Sequence, residues 1–182
     1  YFGSELKALE GFCNEYEPFL PGHYFYSKEG KMKRWYTREW TDYESVKDND
    51  AKVSDVKEAL EDAVHRQLMS DVPYGVLLSG GLDSSIITAI CALEEAKQGR
   101  ALKTFSVDYR NNERFFQSNK FQPSADSCYI EIMRKAFGTE QHLTVLTPED
   151  LCQALEDATI ARDLPGMADV DFSLLAFCGQ IR

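Results

Sequence analysis

The run Tyr74-Gly-Val-Leu-Leu78, followed by Ser79-Gly80-Gly81-Leu82-Asp83-Ser84, decides how this chain is read. The first segment is a short apolar strand closed off upstream by Pro73, the second is a glycine-containing loop, and a helix is expected from Ser84 through about Ala96. The order is strand, loop, helix. Downstream the order repeats, with a strand at Leu102 to Asp108, a helix at Asp126 to Phe137 ended by Gly138, and a strand at Gln141 to Leu146. Thr147-Pro148-Glu149-Asp150 then opens another helix, with Thr147 as cap, proline at the first helical position and acids in the first turn. A last amphipathic stretch runs from about Asp169 to Arg182. Short strands alternating with helices predict an α/β fold built on a parallel sheet with flanking helices.

Upstream of the loop, Ser54 is expected to cap a helix reaching about Met69, in which Val56, Leu60, Ala63, Val64 and Leu68 recur at helical spacing. The first forty residues read differently. Tyr24-Phe25-Tyr26 and Lys33-Arg34-Trp35-Tyr36 flank a Ser27-Lys28-Glu29-Gly30 turn, a hairpin signature. The polar run Asp48-Asn49-Asp50-Ala51-Lys52 reads as a linker, which divides the chain into 1–50 and 51–182.

Composition narrows the class. The 182 residues are 43% hydrophobic, enough for a core, and carry a formal net charge of −10 from 20 basic and 30 acidic residues. Such a surface repels nucleic acid and anionic membrane, so an anionic ligand must be held by a local site. No apolar run approaches the ~18 residues a membrane span needs, and no basic-then-apolar leader opens the sequence; a cytoplasmic protein is expected. Cys13, Cys91, Cys128, Cys152 and Cys178 are scattered, without a C-x-x-C or a close histidine, which disfavours disulfides and zinc. His23, His65 and His142 are equally dispersed and adjoin no nucleophile.

A loop between a buried strand and a helix start suits an anion, because the first helical N–H groups are unpaired and the helix dipole is positive there. Gly80 and Gly81 let backbone approach phosphate oxygens, and Ser79, Ser84 and Ser85 add hydroxyls. Asp83 would repel phosphate unless a cation lies between them, and magnesium is the natural one. Neither G-x-x-x-x-G-K-[ST] nor G-x-G-x-x-G is present, so γ-phosphoryl transfer and dinucleotide binding are not the reading. A cradle for a leaving pyrophosphate remains, against the plainer alternative of a tight Gly-Gly turn.

The string S-G-G-x-D-S resembles the signature of the pyrophosphate-loop family of ATP-dependent adenylating enzymes. Within that family the run from Met69 to Ser85 resembles the glutamine-dependent asparagine synthetases. Four further segments do so in the expected order: Tyr1-Phe-Gly-Ser-Glu-Leu-Lys-Ala-Leu9, Pro21-Gly22-His23-Tyr24, Lys103-Thr-Phe-Ser-Val-Asp108 and Arg162-Asp-Leu-Pro-Gly-Met-Ala-Asp169. The resemblance implies an adenine nucleotide alpha-hydrolase-like fold of pyrophosphate-loop type in 51–182, preceded in 1–50 by a short β remnant of an N-terminal-nucleophile glutaminase domain. It implies an amidotransferase of asparagine biosynthesis, a carbon–nitrogen ligase that uses ATP, Mg2+, aspartate and glutamine. In that chemistry the aspartate side-chain carboxylate attacks the α-phosphate of ATP, and ammonia then displaces AMP from the acyl-adenylate. Carried over, Ser79, Gly80, Gly81, Asp83 and Ser84 would hold pyrophosphate, with Asp83 on the magnesium. Leu78 and Val107 would border the nucleotide at the strand ends, or else be strand core. No catalytic residue is assigned, and a homodimer is compatible with the resemblance.

The chain also departs from the family pattern. The glutaminase nucleophile is an N-terminal cysteine, whereas residue 1 here is tyrosine, and a Ser-Gly-Glu block expected on a later strand does not follow by Arg182. The expectation is a fragment whose upstream segment is missing, which binds ATP weakly and does not complete amide synthesis. Met167, Ala168 and Asp169 stand where some relatives carry Thr-Thr-x-Arg near aspartate, which leaves room for another carboxylate acceptor. Asp163, Asp169 and Asp171 read most simply as helix-start residues. Tyr109 to Pro123 mixes Arg110, Arg114 and Lys120 with Phe115, Phe116 and Phe121; a loop beside the nucleotide, a candidate lid, fits better than nucleic-acid contact, and flexible surface with a few packed aromatics is the preferred reading for most of these residues. The competing readings are another pyrophosphate-loop ligase and a non-catalytic ATP-binding module.

Overall fold

The computed structural model describes residues 1–118, 125–163 and 166–181. Lys120, Phe121 and Pro123 of the expected lid, together with Leu164, Pro165 and Arg182, lie outside the described residues. The chain divides into two units, Tyr1–Val56 and Lys57–Arg182.

In the first unit, β1 (His23–Tyr26) pairs antiparallel with β2 (Lys31–Arg34), Tyr26 opposite Lys31 and His23 opposite Arg34. The second strand was expected at 33–36 and instead starts and ends two residues earlier. A four-residue turn, Ser27–Gly30, fixes the register, and the first strand begins only at His23. Trp35 and Tyr36 continue past the ladder and both donate their amides to the Gly22 carbonyl, at 2.9 and 3.2 Å. A short helix α1 (Tyr43–Val46) is capped by Asp42, whose carboxylate accepts from the Glu44 amide at 3.2 Å.

Helix α2 (Val53–Gln67) begins one residue before the expected cap. The capping is done by Asp55, whose carboxylate accepts from the Lys52 amide at 2.9 Å, while the Ser54 hydroxyl only bonds Asp55 at 3.1 Å. A carboxylate reaching back to an amide near a helix start is favoured by the dipole over a neutral hydroxyl.

The second unit is built on β3 (Gly75–Leu77), α3 (Leu82–Lys97), β4 (Lys103–Tyr109), α4 (Asn112–Phe115), α5 (Asp126–Phe137) and β5 (Glu140–Leu146). The strands form a parallel sheet in the order β3-β4-β5. Neighbouring strands joined in sequence by right-handed crossovers place α3 and α5 on one face of the sheet, and these helices pack against each other. Cys91, Ala92 and Leu102 form the centre of the core there, with Val64, Leu68, Tyr74, Val76 and Phe137 against them.

Below this core Glu95 accepts two hydrogen bonds from Arg100, at 2.6 and 3.0 Å. The Arg100 guanidinium and the Tyr74 hydroxyl hold the Glu95 carboxyl below its usual range. Burial first, then the Glu95 carboxylate, push the Tyr74 phenol up to about 12.

Helix α6 (Pro148–Arg162) starts as its sequence dictates, with a full capping box between Thr147 and Asp150. Helix α7 (Ala168–Ile181) packs on α6 and β5. Arg162 donates to Asp171 at 2.7 Å, so Asp171 anchors the turn between α6 and α7. The short helix α4 arises inside the stretch expected to be a loop. It follows Asn111 in the left-handed region at φ 62°, a conformation asparagine tolerates better than most residues. Among the described residues no helix is long and apolar enough to cross a membrane.

Candidate functional site

Strand β3 does not stop cleanly at Leu77. The Leu78 amide still donates to the Phe105 carbonyl at 2.8 Å, one more rung of parallel pairing, and its side chain is 1% exposed. Its carbonyl accepts from the buried Ser106 hydroxyl at 2.7 Å. With both backbone groups engaged and its side chain in the core, Leu78 acts as the anchor from which the loop leaves the sheet.

The loop then closes on itself through Ser79 and Ser84. The Ser84 hydroxyl donates to the Gly81 carbonyl at 3.1 Å, and the two serine oxygens lie 3.0 Å apart. The Ser79 amide donates to Ser84 Oγ at 3.3 Å and the Gly81 amide to Ser79 Oγ at 3.4 Å. Each hydroxyl has one proton. With that of Ser84 given to Gly81, that of Ser79 goes to Ser84, and the remaining bonds run around the same ring. Three of the four bonds lie beyond the usual range of strong hydrogen bonds, so exchanging them for an anionic acceptor is inexpensive.

Helix α3 begins at Leu82, two residues before the expected start, because Gly81 takes the extended N-cap position at φ −71° and ψ 164°. Glycine offers no side chain to cap the helix, and Ser84 turns its hydroxyl back to the loop. The first-turn N–H groups of α3 therefore have no side-chain partner, with the positive end of the dipole behind them. Asp83 stands in this first turn, exposed. Among the described residues no three His, Cys, Asp or Glu side chains could jointly hold a metal ion. A cation at Asp83 would thus share its coordination with ligand oxygens and water, the habit of Mg2+ at phosphate sites.

The two glycines do different work. Gly80 has φ +86°, and a Cβ there would meet the Asp126 carbonyl at 2.7 Å. A Cβ on Gly81 would find only Ser79 Oγ at 3.5 Å, an ordinary contact. Among the described residues the space over Gly81 is thus open, and a side chain there would enter it. A cradle of this form fits a phosphate group approaching the backbone.

Beside the loop, at the carboxyl end of β4, lies a cavity of about 390 Å3 lined by Val107, Asp108, Asn112, Asp126, Ile130 and Gln141 among others. Asp126 joins the two features, since its carbonyl abuts Gly80. Asp108 is held by the Tyr109 amide at 2.8 Å and by Asn112 Nδ2 at 2.9 Å. Glu131, also on the cavity wall, is held down to about 2 by hydrogen bonds from Arg134 and Lys135 and stays ionised. A wall rich in carboxylates suits hydrogen-bond donors and disfavours phosphate, whereas the neighbouring loop favours it. Phe116 reaches this cavity and Phe115 is exposed.

The structure therefore brings Ser79, Gly80, Gly81, Asp83 and Ser84 together at one helix start, places Val107 on the adjoining cavity wall and leaves Leu78 in the core. Ser106 and Asp126 were not picked out from sequence. The only signal for Ser106 was that small polar residues, Thr104 and Ser106, occupy alternate positions of the strand, and both are buried.

Residues 55–182 match the family described as Asparagine synthase. The chain is 49% identical over 161 residues to asparagine synthetase [glutamine-hydrolyzing] 3 of Bacillus subtilis, covering 86% of this chain and 26% of that protein. It is 53% identical over 90 residues to asparagine synthetase B [glutamine-hydrolyzing] of Escherichia coli, covering 50% of this chain and 16% of that one. With asparagine synthetase [glutamine-hydrolyzing] 1 of Saccharomyces cerevisiae the identity is 46% over 108 residues, 59% of this chain and 19% of the relative. The chain thus spans about a quarter or less of the length of these relatives.

Proposed function

This chain belongs to the asparagine synthase family, and on that premise we propose that its Ser79–Ser84 loop binds the pyrophosphate portion of ATP in a protein that converts aspartate to asparagine with glutamine-derived ammonia. The observation that supports this reading best is the open start of α3: among the described residues a helix without a side-chain cap, preceded by a glycine with free space above it. On this reading Asp83 takes one position on a magnesium ion, which when bound offsets charge between the carboxylate and the phosphate oxygens. Ser79 and Ser84 exchange their mutual bonds for bonds to pyrophosphate. The first-turn amides of α3 stabilise the negative charge that grows on pyrophosphate as the aspartate carboxylate attacks the α-phosphate. Val107 and the cavity beside it receive the nucleoside.

Residues 51–182 are then part of the ATP-using synthetase domain and 1–50 the end of a glutaminase domain. The match to the Bacillus subtilis protein supports the second assignment, since its 161 residues exceed what lies downstream of position 55. Five cysteines, all free, fit residence in the cytoplasm. A different carboxylate acceptor is a second reading, supported by Met167, Ala168 and Asp169 standing where some relatives carry Thr-Thr-x-Arg near the substrate.

Calorimetric titration of the chain with magnesium–ATP tests the proposal. Asp83→Ala is expected to weaken binding by at least about tenfold, the factor for the loss of ~1.4 kcal/mol. Equal affinity of variant and wild type would remove Asp83 from the site and favour a non-catalytic ATP-binding module.

A further inference from the structure

We propose that Ser106, on the strand next to the loop, is a positioning residue for pyrophosphate binding, acting through the peptide group that joins Leu78 to Ser79. The inference rests on the loop being the pyrophosphate site. Ser106 is 1% exposed and donates its hydroxyl proton to the Leu78 carbonyl at 2.7 Å, the shortest bond at the loop and one that links residues 28 positions apart. The peptide bond from Leu78 to Ser79 is trans, so its carbonyl and its N–H point in opposite directions in one plane. Holding the carbonyl on Ser106 therefore turns the Ser79 N–H away from the sheet and into the loop, where it meets Ser84 Oγ at 3.3 Å.

Three of the four bonds of the serine ring involve Ser79. Ser79 carries the amide that reaches Ser84 and the hydroxyl that receives the Gly81 amide at 3.4 Å. These ring bonds are long and are exchanged when an anion enters, so they cannot fix the peptide plane by themselves. The buried Ser106 bond is retained with or without the ligand. It offers pyrophosphate a Ser79 amide that already points the right way, which spares the cost of ordering it on binding.

The test compares wild type, Ser106→Ala and Ser106→Thr as the full chain, in two measurements. Titration with inorganic pyrophosphate and magnesium is expected to show about a tenfold loss for Ser106→Ala, the factor for one ordinary hydrogen bond, with recovery in Ser106→Thr, which keeps the hydroxyl. Amide hydrogen exchange without ligand is expected to accelerate at Ser79 in Ser106→Ala, while amides in the centre of α3 stay unchanged. The proposal is overturned if Ser106→Ala binds pyrophosphate within about twofold of wild type, a difference below 0.5 kcal/mol, or leaves exchange at Ser79 unaltered. It is also overturned if the threonine variant falls with the alanine one, which would mark the effect as packing. A wild-type chain that takes up no pyrophosphate overturns the reading of the loop itself, and with it this proposal; binding retained in both wild type and Ser106→Ala overturns only the role of Ser106.

Discussion

A methyl group placed on Gly80 would lie 2.7 Å from the Asp126 carbonyl, and the backbone there has φ +86°, where L-residues are strained. The left-handed conformation alone costs about 1–2 kcal/mol. Gly80→Ala is therefore expected to lower stability by at least that much in urea titration. Gly81→Ala is expected to keep most of its stability, losing only the small difference between glycine and alanine at an N-cap, and yet to weaken magnesium–ATP binding, because its methyl enters the space over the loop. Equal effects of the two variants on stability would contradict this division. In the sequence the glycines form one motif and were assigned one purpose. What separates them is a contact with a residue from another helix, which no local pattern encodes. Ser106 escaped notice for the same reason: its hydroxyl matters through a carbonyl 28 residues away. Ser79 and Ser84, by contrast, stand out in the motif itself as hydroxyl donors, although their bond to each other is visible only in the structure.

At the scale of elements, legibility follows how much of each boundary is written in neighbouring residues. Helix α6 carries a proline at its first position and a reciprocal capping box, with the Thr147 hydroxyl accepting from the Asp150 amide at 3.1 Å and the Asp150 carboxylate accepting from the Thr147 amide at 2.9 Å. Its start was read to the residue. Thr147→Ala is expected to reduce stability by about 1 kcal/mol, with the Asp150 carboxyl moving only part of the way back toward its usual range, since the backbone amide at position 147 remains. That carboxyl sits below the range because of its bonds to Thr147, the backbone amide first. Urea titration and carboxyl NMR would check the two parts separately. Helix α5 likewise ends where expected, with Gly138 at φ +62°. Helix α3 was placed two residues late because its cap is a glycine, silent as a capping signal, while Ser84 looks like a cap and is spent on the loop. The β2 register followed from turn length, which the aromatic pattern did not specify.

For the molecule as a whole, charge sets the pH range of stability. Glu131, Glu95, Glu94 and Asp150 all hold carboxyl groups below their ordinary values: Glu131, Glu95 and Glu94 chiefly through hydrogen bonds from Arg134, Arg100 and Lys97, and Asp150 through the Thr147 amide. A depressed carboxyl stabilises the fold above its unfolded value, near 4, and that contribution fades as pH falls, down to about 2 for Glu131. Tyr74 works in the opposite direction. Its phenol is raised to about 12, so its contribution is complete below about 10 and disappears as pH climbs between the two values. Urea midpoints are thus expected to be level from about pH 5 to 8, falling on both sides; Tyr74→Phe should shallow the alkaline limb, which the buried Cys91 thiol shares, and slightly shallow the acid one, since Glu95 loses a hydrogen bond. An alkaline limb unchanged in that variant would remove Tyr74 as a cause. The parallel α/β class and the order of the three sheet strands with their crossover helices were readable from this chain, because each is carried by short-range pattern; the short helices α1 and α4 were not.

The packing of Gly80 against the first residue of α5 also sets a timetable for folding. Loop, second strand and second crossover helix must all be in place before the loop can hold its shape, so residues 79–84 are made before α5 and acquire their geometry only after it. Non-local pairing of this kind is slow, since the intervening chain must first be closed into a loop. The shape of residues 79–84 is thus a property of the assembled β–α–β–α unit, acquired only when its last helix, α5, has docked.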